Sequence, residues 1–170
     1  MNTVQLLQQD LGIARFVLQG TMADVTPEMA NWKPAGQAHP IGSAYLHVLQ
    51  GQDMAVHQML QGGKPTIWQK DGWDKKTGAT FGHPHTIEWA RSVKVAPAQL
   101  QPYAKAVDAA VDAYIAGLTE QELNRKIPFF EMGEQTVCWL IQTTIVGHIN
   151  NHTGEIAALK GMQGKKGYPF

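Results

Sequence analysis

The chain has 170 residues, of which 44% are hydrophobic, and 14 basic side chains balance 14 acidic ones. This length suits one domain with its own core, and the neutral net charge gives no support to phosphate-driven nucleic-acid binding. The single cysteine, Cys138, excludes an internal disulfide and a Cys-based zinc site, and neither a membrane span nor a signal peptide is recognisable. We therefore expect one cytoplasmic domain over residues 1–170, without nucleic-acid or membrane partners.

Four segments carry apolar residues at the spacing of an amphipathic helix. The first covers residues 4–18, and Thr26-Pro27-Glu28 after it is typical of the capped start of a short helix. The second, third and fourth segments extend over about residues 41–60, 97–118 and 134–162. The sequence therefore predicts an all-α fold, most simply a four-helix bundle.

The connection between the second and third segments is unusually long. It has about 35 residues, whereas most connections in bundles have roughly 2–8. It contains four large aromatic side chains, Trp68, Trp73, Phe81 and Trp89. We expect it to cross the end of the bundle and pack on it. Extended structure is indicated only weakly, for residues 126–130 and parts of 62–96, and Thr119-x-x-Glu122 predicts a capped helical turn.

The fourth segment contains His148 and His152, four residues apart, with Glu155 three residues further on. At about 100° per residue, all three lie within about 40° of the line through Val137 and Leu159, so we expect them on the buried face. A buried imidazole or carboxylate needs a partner. Two interpretations are open: a metal site, in which Glu155 is a ligand, an orienting residue or a general base, or histidines hydrogen-bonded within the core.

A third ligand would come from another helix, and His47 in the second segment is the candidate. It lies near two small residues, Ala44 and Gly51, that leave space around an ion, although a helical wheel puts it at the edge of the apolar stripe. Other chemistries lack their motifs, since there is no H-E-x-x-H, no G-x-S-x-G and no phosphate-binding loop.

The remaining histidines and the cysteine have simpler interpretations. We interpret His39 as a loop residue and His57 as a residue of the helix surface. His83 and His85 are interpreted as solvated residues of the long connection, with the alternative that this segment folds over a site as a lid. Cys138 has no nearby base in the sequence, so we expect a packed side chain and no nucleophile.

Three stretches together resemble one family, the DinB/YfiT-like superfamily of metal-binding four-helix bundles. They are NWKPAGQAHPIGSAYLHVLQGQD (31–53), LTEQELNRKIPF (118–129) and GHINNHTGEIAALKGMQG (147–164). Their order and spacing fit over nearly the whole chain. The resemblance implies a bundle with a long crossover between helices 2 and 3, and a divalent metal, zinc or nickel, held by His47, His148 and His152.

The resemblance also implies an activity. Some relatives are thiol S-transferases that use a low-molecular-weight thiol to attack a small electrophile, and homodimers are common among them. The expected function is therefore a metal-dependent thiol S-transferase with a small-molecule substrate, in a homodimer. The alternatives are a metal-dependent hydrolase, with Glu155 as the candidate catalytic residue, and a non-catalytic, stress-related metal-binding bundle.

Overall fold

The computed structural model describes residues 1–170, which are mostly helical and include one small hairpin. The α-helices in chain order are α1 (Thr3–Met22), α2 (Pro27–Asn31), α3 (Ile41–Met54), α4 (Ile67–Lys70), α5 (Trp73–Thr77), α6 (Ile87–Ser92), α7 (Gln101–Ala116), α8 (Glu120–Leu123), α9 (Val137–Ile141) and α10 (His148–Met162). None of them combines the length and apolar composition that crossing a bilayer requires. The predicted helical bundle with a long crossover is confirmed.

The bundle is formed by α1, α3, α7 and α10. Both α7 and α10 pack against α1 and also against α3, so α1 and α3 occupy opposite corners. The predicted stripe of α1 is buried as Leu7, Leu11, Ala14 and Leu18, and that of α7 as Tyr103, Val107 and Val111. The core therefore lies between the four helices, as the periodicity predicts.

Two of these helices contain wide, π-helical turns. Residues Ala55–Leu60 continue α3 in this form, and Gln142–Gly147 join α9 to α10. The second and fourth predicted helices are thus continuous over 41–60 and 137–162. A π-helical turn takes up more residues than an α-helical one, so it changes which side chains downstream face the core.

The fourth helix begins later than predicted. Residues Glu134–Thr136 form strand β2, which pairs in antiparallel register with β1 (Lys126–Pro128). Gly133 supplies the turn between them with a φ of 72°. The hydroxyl of Thr136 then accepts a hydrogen bond from the Trp139 amide and caps α9. The prediction of helix from residue 134 was therefore wrong by three residues.

The capped starts of two short helices are confirmed. Thr26 accepts a hydrogen bond from the amide of Met29 at the start of α2, and Thr119 accepts one from Glu122 at the start of α8. A 3₁₀ turn, Pro97–Leu100, precedes α7. Side-chain oxygens at these positions satisfy amides that the first helical turn leaves unpaired.

The crossover, residues 61–96, covers the side of α3 that faces away from the bundle. It contains α4, α5 and α6 and no strand, so the weak indication of extended structure there was wrong. Trp68 and Trp73 are buried, as predicted. Because the crossover closes over it, α3 is buried on every side from Ile41 to Asp53.

The carboxylate of Asp53 fixes the start of the crossover to α3. It is fully buried and accepts hydrogen bonds of 2.9 Å from the amides of Ile67 and Trp68. The Tyr103 hydroxyl donates a third bond of 2.8 Å, and His57 Nδ1 lies 2.9 Å away. A buried carboxylate with this many donors keeps its partners in place because losing one leaves a charge unpaired.

Candidate metal centre

Six of the seven histidines gather where the crossover meets α3 and α10. We call them the histidine cluster: His39, His47, His83, His85, His148 and His152. They come from four segments of chain, which are the loop before α3, α3 itself, the crossover and α10. Neighbouring rings have centroids between 4.0 and 5.9 Å apart. So many imidazoles in one place form a dense group of nitrogen donors.

The closest approach in the cluster joins α3 to α10. The Nε2 atoms of His47 and His148 lie 3.0 Å apart, although 101 residues separate them in sequence. The Nδ1 atom of His47 lies 3.1 Å from the carbonyl oxygen of Gly82 and donates to it. This bond selects the tautomer whose Nε2 carries a lone pair, and that lone pair faces His148.

Gly51 makes room for His148. A Cβ atom at position 51 would lie 2.6 Å from Cε1 and 3.0 Å from Nδ1 of the His148 ring. No other residue type fits there without displacing this ring. The sequence suggested that Gly51 leaves space near His47, and in the structure this space is occupied by the His148 ring.

His152 is oriented by Glu155 on the next turn of α10. The His152 Nδ1 atom donates to Oε2 of Glu155 across 2.7 Å, which leaves its Nε2 free to bind a metal. The other carboxylate oxygen, Oε1, lies 3.9 Å from Nδ1 of His39. Of the three roles that the sequence left open for Glu155, this geometry matches the orienting one.

The crossover brings two further histidines into the cluster. The rings of His83 and His85 both have centroids 4.2 Å from that of His47. Their interpretation as solvated loop residues was wrong, and the alternative of a segment folded over the site describes what is seen. The ligand atoms of His47, His85 and His152 all lie within 4.8 Å of one another, so these three form a group able to hold a metal ion.

A residue that the sequence did not single out, Gln50, holds the crossover at the cluster, and Trp89 joins two parts of the crossover to each other. Gln50 accepts a hydrogen bond of 2.7 Å from the Gly82 amide, and Trp89 Nε1 donates one of 2.9 Å to the Thr80 hydroxyl. The signal was a polar side chain three residues after His47, on the same side of α3. A fully buried amide side chain needs a partner, and here that partner is the backbone of the lid.

Burial favours the neutral form of three imidazoles of the cluster, His47, His85 and His148. It lowers the pKa of His47 to about 2, of His148 to about 3 and of His85 to about 4 from the ordinary 6.5, and neighbouring histidines add to each shift. Burial acts to raise the pKa of Glu155, but the hydrogen bond from His152 and the nearby histidines outweigh it and the pKa is lowered. Neutral imidazoles beside an ionised carboxylate are the forms that bind a divalent cation.

The donor set fits a divalent transition metal. Three imidazole nitrogens of the cluster are buried and have no hydrogen-bond partner: His83 Nε2, His85 Nε2 and His148 Nδ1. Two nitrogens held by one zinc ion at about 2.0–2.1 Å lie roughly 2.9–3.4 Å apart in octahedral or tetrahedral geometry. The 3.0 Å between His47 and His148 falls in this range. Nitrogen-rich sites suit zinc, nickel, copper and iron.

The burial of the α10 residues differs in detail from the wheel prediction. His148, His152 and Glu155 are half-buried at the flank of the core, whereas Ile149 and Ile156 fill its centre. Over eleven residues, a regular α-helix would align His148 with Val137. The π-helical turn takes up one extra residue. Each residue after it is therefore rotated by about 100° from its position in a regular α-helix, and Ile149 faces the core in place of His148.

Of the other residues considered from the sequence, His57 and Cys138 lie outside the cluster, whereas His39 belongs to it. His57 is the one histidine apart from the cluster, half-buried beside Asp53. His39 does lie in a loop, as predicted, but its ring is 4.0 Å from that of His85. Cys138 is partly buried, and burial raises the pKa of its thiol, which disfavours a nucleophilic thiolate.

Comparison with known proteins bears on the same region. The sequence model of the DinB superfamily matches residues 11–156, a range that contains the whole cluster. The crystal structure of a conserved protein from Enterococcus faecalis has a TM-score of 0.83 and 22% identity, covering 97% of this chain and 99% of that one. At this identity the likeness extends to the fold alone. No curated protein matches the sequence.

Proposed function

We propose that this chain, which belongs to the DinB superfamily, binds one divalent metal ion through His47, His148 and His152 and acts as a thiol S-transferase. The observation that carries the proposal is the pair of Nε2 atoms 3.0 Å apart in His47 and His148. These atoms converge from two helices, and His152 follows one turn later on α10. The ligand set is the one that the family resemblance implies.

Each of the three side chains has a defined part in the site. His47 is held by the carbonyl of Gly82 and His152 by Glu155, so both present Nε2 inward. His148 is positioned by the space above Gly51. Side chains fixed in this way bind a metal without first giving up rotational freedom. Zinc and nickel are the metals we expect.

The bound ion would supply a Lewis acid that favours the thiolate form of an external thiol. The chain's own residues hold the donors and exclude water, since His47 is only 8% exposed beneath the crossover. Thiolate sulfur would then form a bond to the electrophilic carbon while the leaving group departs with the bonding electron pair. The proton that the thiol loses on binding would pass to solvent, so the transfer would need no general base from the protein.

The engagement of Glu155 favours transfer over hydrolysis. A hydrolase at this site would need a base to take a proton from water, and Glu155 is the candidate. Its Oε2 atom already accepts the short hydrogen bond from His152. A carboxylate that orients His152 in this way is less available to take a proton from water. An external thiol is therefore the favoured attacking group.

Elemental analysis of protein purified without a histidine tag tests the metal. We expect about one zinc or nickel ion per chain, lost in His148→Ala. The matched control is His57→Gln, which changes a half-buried histidine outside the cluster and whose amide can still donate to Asp53. Metal content that is unaffected by His148→Ala, or well below one ion per chain throughout, would count against the site.

A panel of low-molecular-weight thiols with a model electrophile tests the activity. The expected result is thiol consumption that requires the metal and is absent from His148→Ala. Turnover of the electrophile by water alone would favour the hydrolase. Full metal loading without activity towards any thiol or water would indicate a non-catalytic metal protein.

A further inference from the structure

We infer that His85, on the crossover, is an internal and exchangeable ligand of the metal site, which occupies the position that an external ligand takes. This inference rests on the proposed metal site and concerns its regulation. The helices already provide His47, His148 and His152. His85 is a fourth imidazole from a different part of the chain, and its ligand atom lies within 4.8 Å of those of His47 and His152.

The first argument is the position of the His85 ring. Its ligand atom, together with those of His47 and His152, belongs to a group whose members are all within 4.8 Å of one another. Its ring stacks on that of His47, with an interplanar angle of 23°. The Nε2 atom of His85 is buried and has no hydrogen-bond partner. A buried nitrogen without a partner is destabilising, and binding a metal would remove this cost.

The second argument is how the segment around His85 is attached. On its N-terminal side, Gly82 is bonded through its amide to Gln50 and through its carbonyl to His47. On its C-terminal side, the Arg91 guanidinium donates to the carbonyls of Pro34 and Gly36 at 2.8 and 2.6 Å. Both ends are therefore fixed to other parts of the molecule.

Between these anchors, residues 83–85 make no backbone hydrogen bond to the rest of the protein. The one bond of their backbone is local, from the Thr86 amide to the Pro84 carbonyl. Pro84 and Thr86 are exposed. The backbone of this segment contributes no hydrogen bond that holds it over the site, so His85 can leave without breaking the bonds that anchor the crossover.

The consequence is competition between His85 and any incoming ligand. If His85 occupies its position in nine of ten molecules, the apparent affinity for an external ligand falls about tenfold, because only the open fraction binds. Removing the imidazole removes this competition. The exchange replaces one nitrogen donor by another donor, so no oxidant or reductant is involved.

The test uses the full chain loaded with Co²⁺, whose visible absorption depends on its ligands. Azide serves as the external ligand, and the variants are His85→Ala and His85→Phe. The phenylalanine keeps a ring against His47 but has no nitrogen to donate. We expect both variants to retain Co²⁺ with an altered spectrum. His85→Ala should bind azide about tenfold more tightly, and added imidazole should restore the original spectrum in His85→Ala but not in His85→Phe.

The matched control is His57→Gln, which removes an imidazole that lies beside Asp53 and outside the histidine cluster. Its spectrum and azide affinity should stay close to those of the original protein. An unchanged spectrum in His85→Ala, or an equal change in His57→Gln, would overturn the role of His85 and leave the proposed metal site intact. Complete loss of Co²⁺ from His85→Ala would make it a permanent ligand and contradict exchange. Failure of the original protein to bind Co²⁺ would refute both proposals.

Discussion

Glu155 accepts a hydrogen bond of 2.7 Å from Nδ1 of His152, one turn earlier on the same helix. The bond fixes the ring orientation and the tautomer, so that the opposite nitrogen, Nε2, carries the lone pair. Carboxylates in this position typically contribute about 10–100-fold to metal affinity. We therefore expect Glu155→Ala to weaken metal binding by about that factor, and Glu155→Gln, which can still accept a hydrogen bond, to weaken it less.

Competition with a chromophoric chelator measures this affinity directly. Melting temperatures of the metal-free variants show whether the fold is retained. If both variants bound metal as tightly as the original protein, the orienting role of Glu155 would be refuted.

Gly51→Ala and Gly12→Ala are the same chemical change at two helical positions, and we expect opposite results. At Gly51 the new Cβ meets the His148 ring at 2.6 Å, whereas at Gly12 in α1 nothing lies within 4 Å. Crowding a packed site costs about 1–3 kcal/mol. Replacing an exposed helical glycine by alanine stabilises by about 0.5–1 kcal/mol.

Chemical denaturation and metal content together test this pair. Gly51→Ala should be less stable and should lose metal, while Gly12→Ala should be more stable and fully loaded. Full metal loading of Gly51→Ala would show that His148 does not need the space above residue 51.

Acid should destabilise the metal-free protein well above the pH at which carboxylates protonate. Burial lowers the pKa of His85 to about 4, of His148 to about 3 and of His47 to about 2 in the folded chain. In the unfolded chain each titrates near pH 6.5, so the unfolded state binds more protons below that pH. The free energy of unfolding therefore falls as the pH drops from about 6.5 towards 4, by up to about 1.4 kcal/mol per pH unit for each histidine.

Urea denaturation of chelator-treated protein between pH 7.5 and 5 measures this slope. His148→Asn removes one of the titrating groups. The pH dependence of its free energy of unfolding should therefore correspond to about one fewer proton taken up on unfolding. A free energy of unfolding that did not change over this range would contradict neutral, buried imidazoles.

Asp53→Ala tests the attachment of the crossover to α3. The substitution leaves the amides of Ile67 and Trp68 and the Tyr103 hydroxyl without their shared acceptor. Breaking a buried charged interaction typically costs about 3–5 kcal/mol. Asp112, whose side chain is 62% exposed in its pair with Arg15, is the matched control, because surface ion pairs contribute about 0–1 kcal/mol.

Thermal unfolding of the two variants provides the comparison. We expect Asp53→Ala to melt far below the original protein and Asp112→Ala to melt close to it. Similar melting temperatures would mean that the crossover is held by its tryptophans rather than by Asp53.

The bundle and several of its local features follow from patterns that the sequence displays directly. The stripe of Leu7, Leu11 and Leu18 predicts its own burial, and Thr26 and Thr119 predict their caps. His47 is different, because a wheel built from the apolar residues of α3 ranks it at the edge. A helical wheel assumes that a helix has one buried face, whereas the crossover buries the other face of α3 as well.

The loop histidines could not be predicted for a related reason. His83 and His85 contact His47 through a segment whose path depends on Gln50, Asp53 and two tryptophans far away in sequence. No local periodicity encodes such contacts. The family resemblance supplied His47, but it carried no information on these two residues.

The wide turn Gln142–Gly147 has a consequence for how this sequence can change in length. A chain lacking one residue there would regain a regular α-helix and keep His148 where it is, because the turn holds one residue in excess. Loss of one residue between His148 and His152 would instead rotate one ring about 100° away from the other. The gap before the histidine pair can therefore vary by one residue, while the gap within the pair cannot.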